Sequence, residues 1–407
     1  TGKYVTQYEM KSVGEDGVGL LKFDFLGIKN LAILADAVKR VKKIHDVSID
    51  IEAIPLDDPK TFAVLASGQT MGLFQLNGSG MTAFLKQLRP TTIHDINAMV
   101  ALYRPGPMEM IPTYIERKNN PALVSYLDPR LKGILERSYG VITYQDDVMS
   151  VARELAGYSW LEADMLRKAM GKKIPEVMAA EKDKLMKGFL EYGKLSQQVA
   201  DKLWLLIEPF AAYGFNKAHA ASYGRVAYQT AYMKANYPVE YMSAVLTADS
   251  GDVDKISESI HECERMGIEV LPPDINESFA DFSVVPLHTI NSALNSNFSQ
   301  GMQGADEHRS EPYLAYGEQD AESATPQTAE KNLKNGRIRF GLTTIKNFGE
   351  GISEAIIEER KTNGRFASLQ DFLTRIKNRN LNKKSLEALI MVGAFDTMDE
   401  RGHLIAN

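Results

Sequence analysis

Ala211-Ala212-Tyr213-Gly214-Phe215-Asn216-Lys217-Ala218-His219-Ala220-Ala221-Ser222-Tyr223 is the stretch from which the rest of the chain is read. Tyr213-Gly214-Phe215 reads as a turn, because glycine reaches backbone angles closed to its neighbours. Asn216 follows as a helix N-cap. Lys217 and His219 then fall in the first helical turn, where free N–H groups and the helix dipole favour an anion. Ala218, Ala220 and Ala221 leave room for something to approach closely. A cation, an imidazole and a bare helix start together point to a phosphate-bearing ligand. For His219 alone, a satisfied core histidine is the plainer reading.

A second basic stretch precedes it. Ser159 and Glu162 fit a capping box, so a helix starts there, carries Arg167 and Lys168, and ends at Gly171 before Lys172 and Lys173. One lysine at a helix C-terminus merely complements the dipole; four cations between positions 167 and 173 ask for more. The two stretches raise triphosphate or nucleic-acid binding above ordinary helix packing.

Composition bounds the class. The chain has 407 residues, 44% hydrophobic and 25% charged, with net charge −6. That length holds two or three domains with sizeable cores. No run approaches the roughly 18 apolar residues of a membrane helix, and no secretory signal opens the chain, so the expectation is a cytosolic protein without a membrane partner. Cys263, the single cysteine, excludes an intrachain disulfide and a multi-cysteine zinc site. The acidic balance confines any nucleic-acid surface to a local patch. The first residue is Thr1, within what reads as mid-domain sequence, so a fragment is expected.

Along the chain, residues 18–27 read as a buried strand with Leu21, Phe23 and Phe25 on one face and Lys22, Asp24 and Leu26 on the other. An acid in so apolar a strand needs a partner or a metal. A Lys22–Asp24 pair at a sheet edge and metal binding by Asp24 are the two readings. A helix with a stripe of Leu31, Leu34, Val38 and Val41 follows. Asp58-Pro59 starts a helix, Ser79 caps another through Leu88, and Tyr103-Arg104-Pro105-Gly106-Pro107 is a rigid turn that fixes Arg104. Residues 140–145 read as strand-like, leading into a helix through Ala156. Amphipathic helices fill 172–210, and a long helix runs from the opening stretch to Tyr237, its Tyr228, Tyr232 and Met233 reading as core. Another helix covers 249–266, and Leu271-Pro272-Pro273-Asp274 closes the block.

Residues 286–330 are polar and aperiodic, a flexible insertion. Order resumes with a strand at 338–340, a short helix at 341–346, a turn at Phe348-Gly349-Glu350-Gly351 and a helix at 352–361. Helix, glycine hairpin, helix offers backbone N–H groups to a DNA phosphate without reading sequence, and a weaker copy spans 381–395. Ordinary helical hairpins share the pattern; the cations Lys346, Arg365, Arg375, Lys377, Arg379, Lys383 and Lys384 favour nucleic acid.

Taken in order, Lys22-Phe23-Asp24-Phe25-Leu26-Gly27, Phe74-Gln75-Leu76, Arg104-Pro105-Gly106-Pro107, Tyr144-Gln145, Asp164-Met165-Leu166-Arg167-Lys168-Ala169-Met170-Gly171-Lys172-Lys173, Tyr213-Gly214-Phe215-Asn216-Lys217 with His219, and Leu271-Pro272-Pro273-Asp274-Ile275-Asn276 resemble the alpha subunit of bacterial DNA polymerase III, the C-family replicases. The resemblance implies a mainly α fold with minor β: a remnant palm strand at the N-terminus, helical fingers, and C-terminal helix-hairpin-helix units. It divides the chain into the end of the palm (1–29), fingers (30–285), the insertion (286–335) and the helix-hairpin-helix part of the clamp-binding region (336–407). It implies two-metal transfer of dNTP to a primer 3′-hydroxyl, with Asp24 catalytic and holding Mg²⁺. Lys22, Arg167, Lys168 and Lys217 would meet the triphosphate, and His219 the sugar, where bulk excludes a 2′-hydroxyl. Arg104, Lys346, Phe348, Gly349 and Gly351 would contact DNA.

Implied partners are primer–template DNA and dNTPs, and, through the full-length chain, the sliding clamp, clamp loader and proofreading subunit. The implied location is the cytoplasm, at the nucleoid. Departures from the family pattern are Asn77-Gly78 where Glu-Ser is usual, Lys168 where some relatives carry Arg, and the length of the insertion. The family's other two metal-binding aspartates, an Asp-x-Asp pair, belong to earlier palm sequence. A non-catalytic DNA-binding scaffold that keeps the fold is the alternative.

Overall fold

The computed structural model describes residues 4, 7–14, 17–21, 23, 27–172, 175–208, 214–285, 336–378, 381–399 and 401. It is mainly helical. The helices are α1 (Met10–Val13), α2 (Lys29–His45), α3 (Pro59–Ser67), α4 (Ser79–Leu88), α5 (Ile93–Leu102), α6 (Ile111–Asn119), α7 (Lys132–Leu135), α8 (Gln145–Ala156), α9 (Trp160–Lys172), α10 (Pro175–Glu191), α11 (Gln197–Ile207), α12 (Lys217–Asn236), α13 (Pro238–Ala248), α14 (Val253–Arg265), α15 (Glu350–Asn363), α16 (Leu369–Arg375) and α17 (Lys383–Met391). The strands β1 (Glu269–Leu271), β2 (Ser283–Val285) and β3 (Arg337–Arg339) form one sheet in the order β1-β3-β2. β3 runs parallel to β1, with Val270 opposite Ile338, and antiparallel to β2, with Val284 opposite the same residue. Among the described residues no helix is long and apolar enough to cross a membrane.

Local chemistry sets the helix starts. Asp58 accepts the Thr61 N–H at 2.9 Å, with proline at the first helical position of α3. Ser159 and Glu162 bond reciprocally at the head of α9, the predicted capping box. Asn216 caps α12 by accepting the His219 N–H at 2.8 Å. Several expected boundaries move, these four most. Ser79 is the first helical residue of α4 rather than its cap, which is Gly78. The helix expected over 249–266 is α14, which Asp252 caps. The helix expected over 341–346 shrinks to a 3₁₀ turn, Leu342–Thr344. Residues 140–145 form no strand; Val141, Ile142 and Thr143 are buried, and the Thr143 and Tyr144 N–H groups bond to Asp147 instead of a ladder.

The buried stripe of α2 also rotates. Ile33, Leu34, Ala37 and Val41 face the core while Leu31 is exposed, because the helix packs its other face on α13. Arg40 locks that contact, bonding to Ser243 Oγ at 2.8 Å, Thr247 Oγ1 at 3.1 Å and the Phe282 carbonyl.

Among the described residues the expected N-terminal strand is not seen. Leu20, Leu21 and Phe23 are exposed, and the Val18 and Leu20 N–H groups bond back to the Ser12 and Val13 carbonyls. A strand forms only where its ladder groups find partners, and this segment satisfies two of them locally. Lys22, Asp24, Phe25 and Leu26 lie outside the described residues, as does the insertion expected over 286–335.

Two cores result. The larger joins α2 through α14, with α12 at its centre against α5 and α3. Tyr228 and Met233 of α12 are fully buried in it, core residues as expected. The smaller gathers Ile345, Phe348, Ile352, Phe366, Phe372 and Phe395. Leu271-Pro272-Pro273-Asp274-Ile275-Asn276 ties them together. Ile275 lies in the smaller core and its N–H bonds to the Ala394 carbonyl at 2.8 Å. Asn276 exchanges two hydrogen bonds with the Phe366 backbone, at 3.0 and 2.7 Å. A buried asparagine with both amide atoms used is a specific fastening rather than a cost.

Candidate functional site

The first turn of α12 meets the first turn of α8. The Gln145 N–H donates to the Phe215 carbonyl at 3.0 Å, and the Lys217 N–H donates to Asp146 Oδ2 at 2.9 Å. Lys217 Nζ lies 3.7 Å from Asp147 Oδ1 and 5.4 Å from the Tyr144 ring centroid. The helix start read as bare is therefore taken by a carboxylate of the chain itself. Tyr144, Ala101 and Ala220 form a small buried cluster against Phe215. Ala211, Ala212 and Tyr213 lie outside the described residues.

Arg104 reaches the same place from the end of α5. Its guanidinium carbon stands 4.1 Å from the Phe215 ring centroid, a cation–π distance. The turn that holds it is closed by Arg104 N–H to the Leu102 carbonyl at 2.7 Å and Met108 N–H to the Arg104 carbonyl at 3.0 Å. Gly106 between the two prolines has φ 89°, which only glycine adopts without strain. Arg104 Nε is buried with no hydrogen-bond partner among the described residues. Beyond Phe215 the rings continue to His219 at 5.1 Å, from His219 to Tyr223 at 4.0 Å, and from Tyr223 to Phe74 at 5.1 Å. Phe74 is buried, its N–H on Thr230 Oγ1 at 3.2 Å. The next residue, Gln75, is exposed at φ 60°, an unfavourable angle for glutamine that its buried neighbours Phe74 and Leu76 impose.

The α9 cations are less free than their spacing implies. Arg167 lies 2.8 Å and Lys168 3.1 Å from the two oxygens of Asp164, the i,i+3 and i,i+4 partners a helix offers. Arg167, then Lys168, holds the Asp164 carboxyl below its usual range. No hydrogen bond or ion pair links Arg167 or Lys168 to Arg104, Lys217 or His219 among the described residues. α9 packs on α8, whose first turn meets α12. Lys173 and the side chain of Lys172 lie outside the described residues. Lys22 and Asp24 do as well.

In the C-terminal unit Lys346, Gly349 and Gly351 are exposed, and α15 begins after Gly349 with no side-chain cap on its first N–H groups. Phe348, expected at the DNA, has its side chain buried in the smaller core, so only its backbone is left to face a phosphate. Among the cations, Arg375 is consumed by Glu359 at 2.9 Å and Asp371 at 3.1 Å, and Arg365 lies 3.6 Å from Glu277. Lys346, Lys377 and Lys384 are exposed and unpaired among the described residues. Arg379 lies outside them.

Residues 30–193 match the model of the bacterial DNA polymerase III alpha subunit finger domain, and residues 267–404 match a helix-hairpin-helix motif. The chain carries the finger domain of the bacterial DNA polymerase III alpha-subunit family. It is 42% identical over 411 aligned positions to the DNA polymerase III subunit alpha of Thermus aquaticus, covering 100% of this chain and 29% of that protein. It is 41% identical to the one of Saccharopolyspora erythraea, covering 98% and 29%, and 40% identical to the one of Aquifex aeolicus, covering 100% and 31%. The chain thus spans under a third of the length of these relatives.

Two residues of this finger domain escaped the sequence reading: Asp146 and Asp147, which face α12. The signal was an acidic pair opening α8, ordinary for any helix start. Asp147 is buried, accepts the Thr143 and Tyr144 N–H groups at 3.0 Å each, and has its carboxyl pushed up to about 6, by burial first, against the pull of those bonds and Lys217. A carboxyl raised in the folded state favours folding while protonated, and that contribution is lost as pH rises from about 4 through about 6. Asp147→Asn keeps the acceptor. It is therefore expected to be about 1–3 kcal/mol more stable than the parent at pH 7.5 and nearly equal at pH 4, from urea midpoints. An equal difference at both pH values would remove the titration from the account.

Proposed function

We propose that this chain is the nucleotide- and DNA-holding part of a DNA-directed DNA polymerase that transfers dNTP to a primer 3′-hydroxyl. One observation carries the reading. Arg104, more than a hundred residues away in sequence, meets Phe215 at the start of α12, where His219 also contacts Phe215 and Lys217 lies over Tyr144. In this reading residues 1–29 end the palm, 30–285 are fingers, 286–335 an insertion and 336–407 the DNA-binding hairpin region. Lys217, Arg167, Lys168 and Lys22 meet the triphosphate, and His219 lies against the sugar. Arg104 meets the template. The exposed hairpin around Lys346, Gly349 and Gly351 meets the DNA backbone through N–H groups and charge, which fix position without reading bases. The sliding clamp, clamp loader and proofreading subunit would be partners of the full-length protein in the bacterial cytoplasm.

Such a polymerase uses metal, and Mg²⁺ is the ion this reading assigns, with Asp24 as one ligand. Among the described residues no group of three or more His, Cys, Asp or Glu could hold a metal ion. A single carboxylate does not make a two-metal site, so the chemistry attributed to this chain stops at binding and positioning.

Arg167 must leave or share Asp164 to reach a phosphate. Arg167→Ala in the full-length protein is expected to raise KM for dNTP about tenfold, the loss of one charge-assisted contact, in single-nucleotide insertion. Unchanged KM and kcat would take Arg167 out of the site. A folded protein that binds primer–template and extends nothing would favour the DNA-binding scaffold instead.

A further inference from the structure

The His219 imidazole is exposed and makes no hydrogen bond among the described residues; the bond to Asn216 belongs to its backbone N–H. Such a side chain would ordinarily sample several rotamers. Here its ring stands between two others, Phe215 at 5.1 Å and Tyr223 at 4.0 Å. Each of these is backed in turn. Arg104 covers Phe215, and the buried Phe74, held through its N–H by Thr230, backs Tyr223. The helix carrying both His219 and Tyr223 is seated by Gly224, where an added Cβ would collide with Asn97 of α5. The Tyr223 hydroxyl has no hydrogen-bond partner among the described residues, so its ring makes the contact.

We infer that Tyr223, with Phe215 on the other side, is a positioning residue that holds the His219 ring in one orientation and so sets how strictly a sugar 2′-hydroxyl is refused. The inference rests on the proposal that His219 lies against the sugar of the incoming nucleotide. A pocket rejects an added hydroxyl poorly when its wall can yield, and a ring fixed only by tilted and edge-on ring contacts is as rigid as its neighbours. Removing the Tyr223 ring frees His219 to move aside for a ribonucleotide while leaving the deoxyribonucleotide pose intact. The contact acts on the ratio of the two substrates rather than on the rate with the proper one.

The test is single-nucleotide insertion by the full-length protein with Mg²⁺, measuring kcat/KM for matched dNTP and rNTP in wild type, His219→Ala, Tyr223→Leu and Tyr223→Phe. Tyr223→Leu is expected to lower the dNTP/rNTP ratio about tenfold, the scale of a lost aromatic pair, mostly by improving rNTP use. Tyr223→Phe, which keeps the ring, is expected to restore the ratio to within about twofold of wild type. A wild-type ratio in Tyr223→Leu beside a collapsed ratio in His219→Ala would overturn the positioning role alone. An unchanged ratio in His219→Ala would overturn the sugar contact, and the inference with it. If Tyr223→Leu does not fold, Phe215→Leu takes its place with the same expectation. Histidine-labelled protein gives a second readout. The ring-current shift of His219, assigned by its absence in His219→Ala, should survive in Tyr223→Phe; a shift lost there would show that the hydroxyl, and not the ring, holds the histidine.

Discussion

Lys234→Met is expected to destabilise the chain by about 3–5 kcal/mol, seen as a lower denaturant midpoint with unchanged slope. Lys234 lies on α12 with its side chain fully buried, and its ammonium meets Glu262 Oε1 at 2.5 Å, the Met71 carbonyl at 2.8 Å and the Gln69 carbonyl at 3.0 Å. All three of its donors are used. Burial draws the Lys234 ammonium below the usual lysine range, and Glu262 pulls it back. Methionine keeps the packing but strands a carboxylate that is 1% exposed, with Arg265 its remaining ion-pair partner. Two carbonyls of the turn before Phe74 also lose their donor, at about 1–3 kcal/mol each if left unpaired. Glu262→Gln added to Lys234→Met should recover a good part of the loss, since the stranded charge is gone. A loss below about 1 kcal/mol in the single variant would mean that the pair is solvated. Because this ion pair joins α12, α14 and the turn before Phe74, the same substitution should loosen the ring contacts at Tyr223.

Asp24→Asn in the full-length protein is expected to cut templated primer extension by roughly a thousandfold or more, with primer–template binding retained. Asparagine keeps the shape and loses the charge that a metal ion requires. Metal stabilisation is worth several kcal/mol, and each 1.36 kcal/mol is tenfold in rate. Undiminished extension would favour the other sequence-based reading of Asp24, an ion pair with Lys22. If Asp24 is the one metal-binding aspartate of these 407 residues, as proposed above, this chain alone is expected to show no extension, since two metal ions need several carboxylates. Templated extension by it would overturn that.

The helix starts were legible because capping is local. Asp58, Ser159 and Asn216 each bond within the next three residues, so the residue type and its spacing carry the answer. The turn around Arg104 was legible for the same reason, two prolines and a glycine. The strands read less well. A ladder depends on a partner strand, and the segments at 18–27 and 140–145 have the apolar composition of strands without that partner among the described residues. Cations were overcounted. Arg167, Arg365 and Arg375 were read as free charges, and each has a carboxylate within 4 Å.

By itself the sequence determined the helical class, several of the places where helices begin, the grouping of Lys217 with His219 on one turn, and the ordered motifs that resemble the polymerase family. Tertiary structure decided what those residues face. It put Asp146 on the helix start that was read as open, turned Phe348 inward, and lined up Arg104, Phe215, His219, Tyr223 and Phe74. Capping and turn formation act across three or four residues and leave their mark in adjacent letters. The pairing of α8 with α12, or of Phe74 with Tyr223, spans from tens to more than a hundred residues, and only packing of the whole core chooses it.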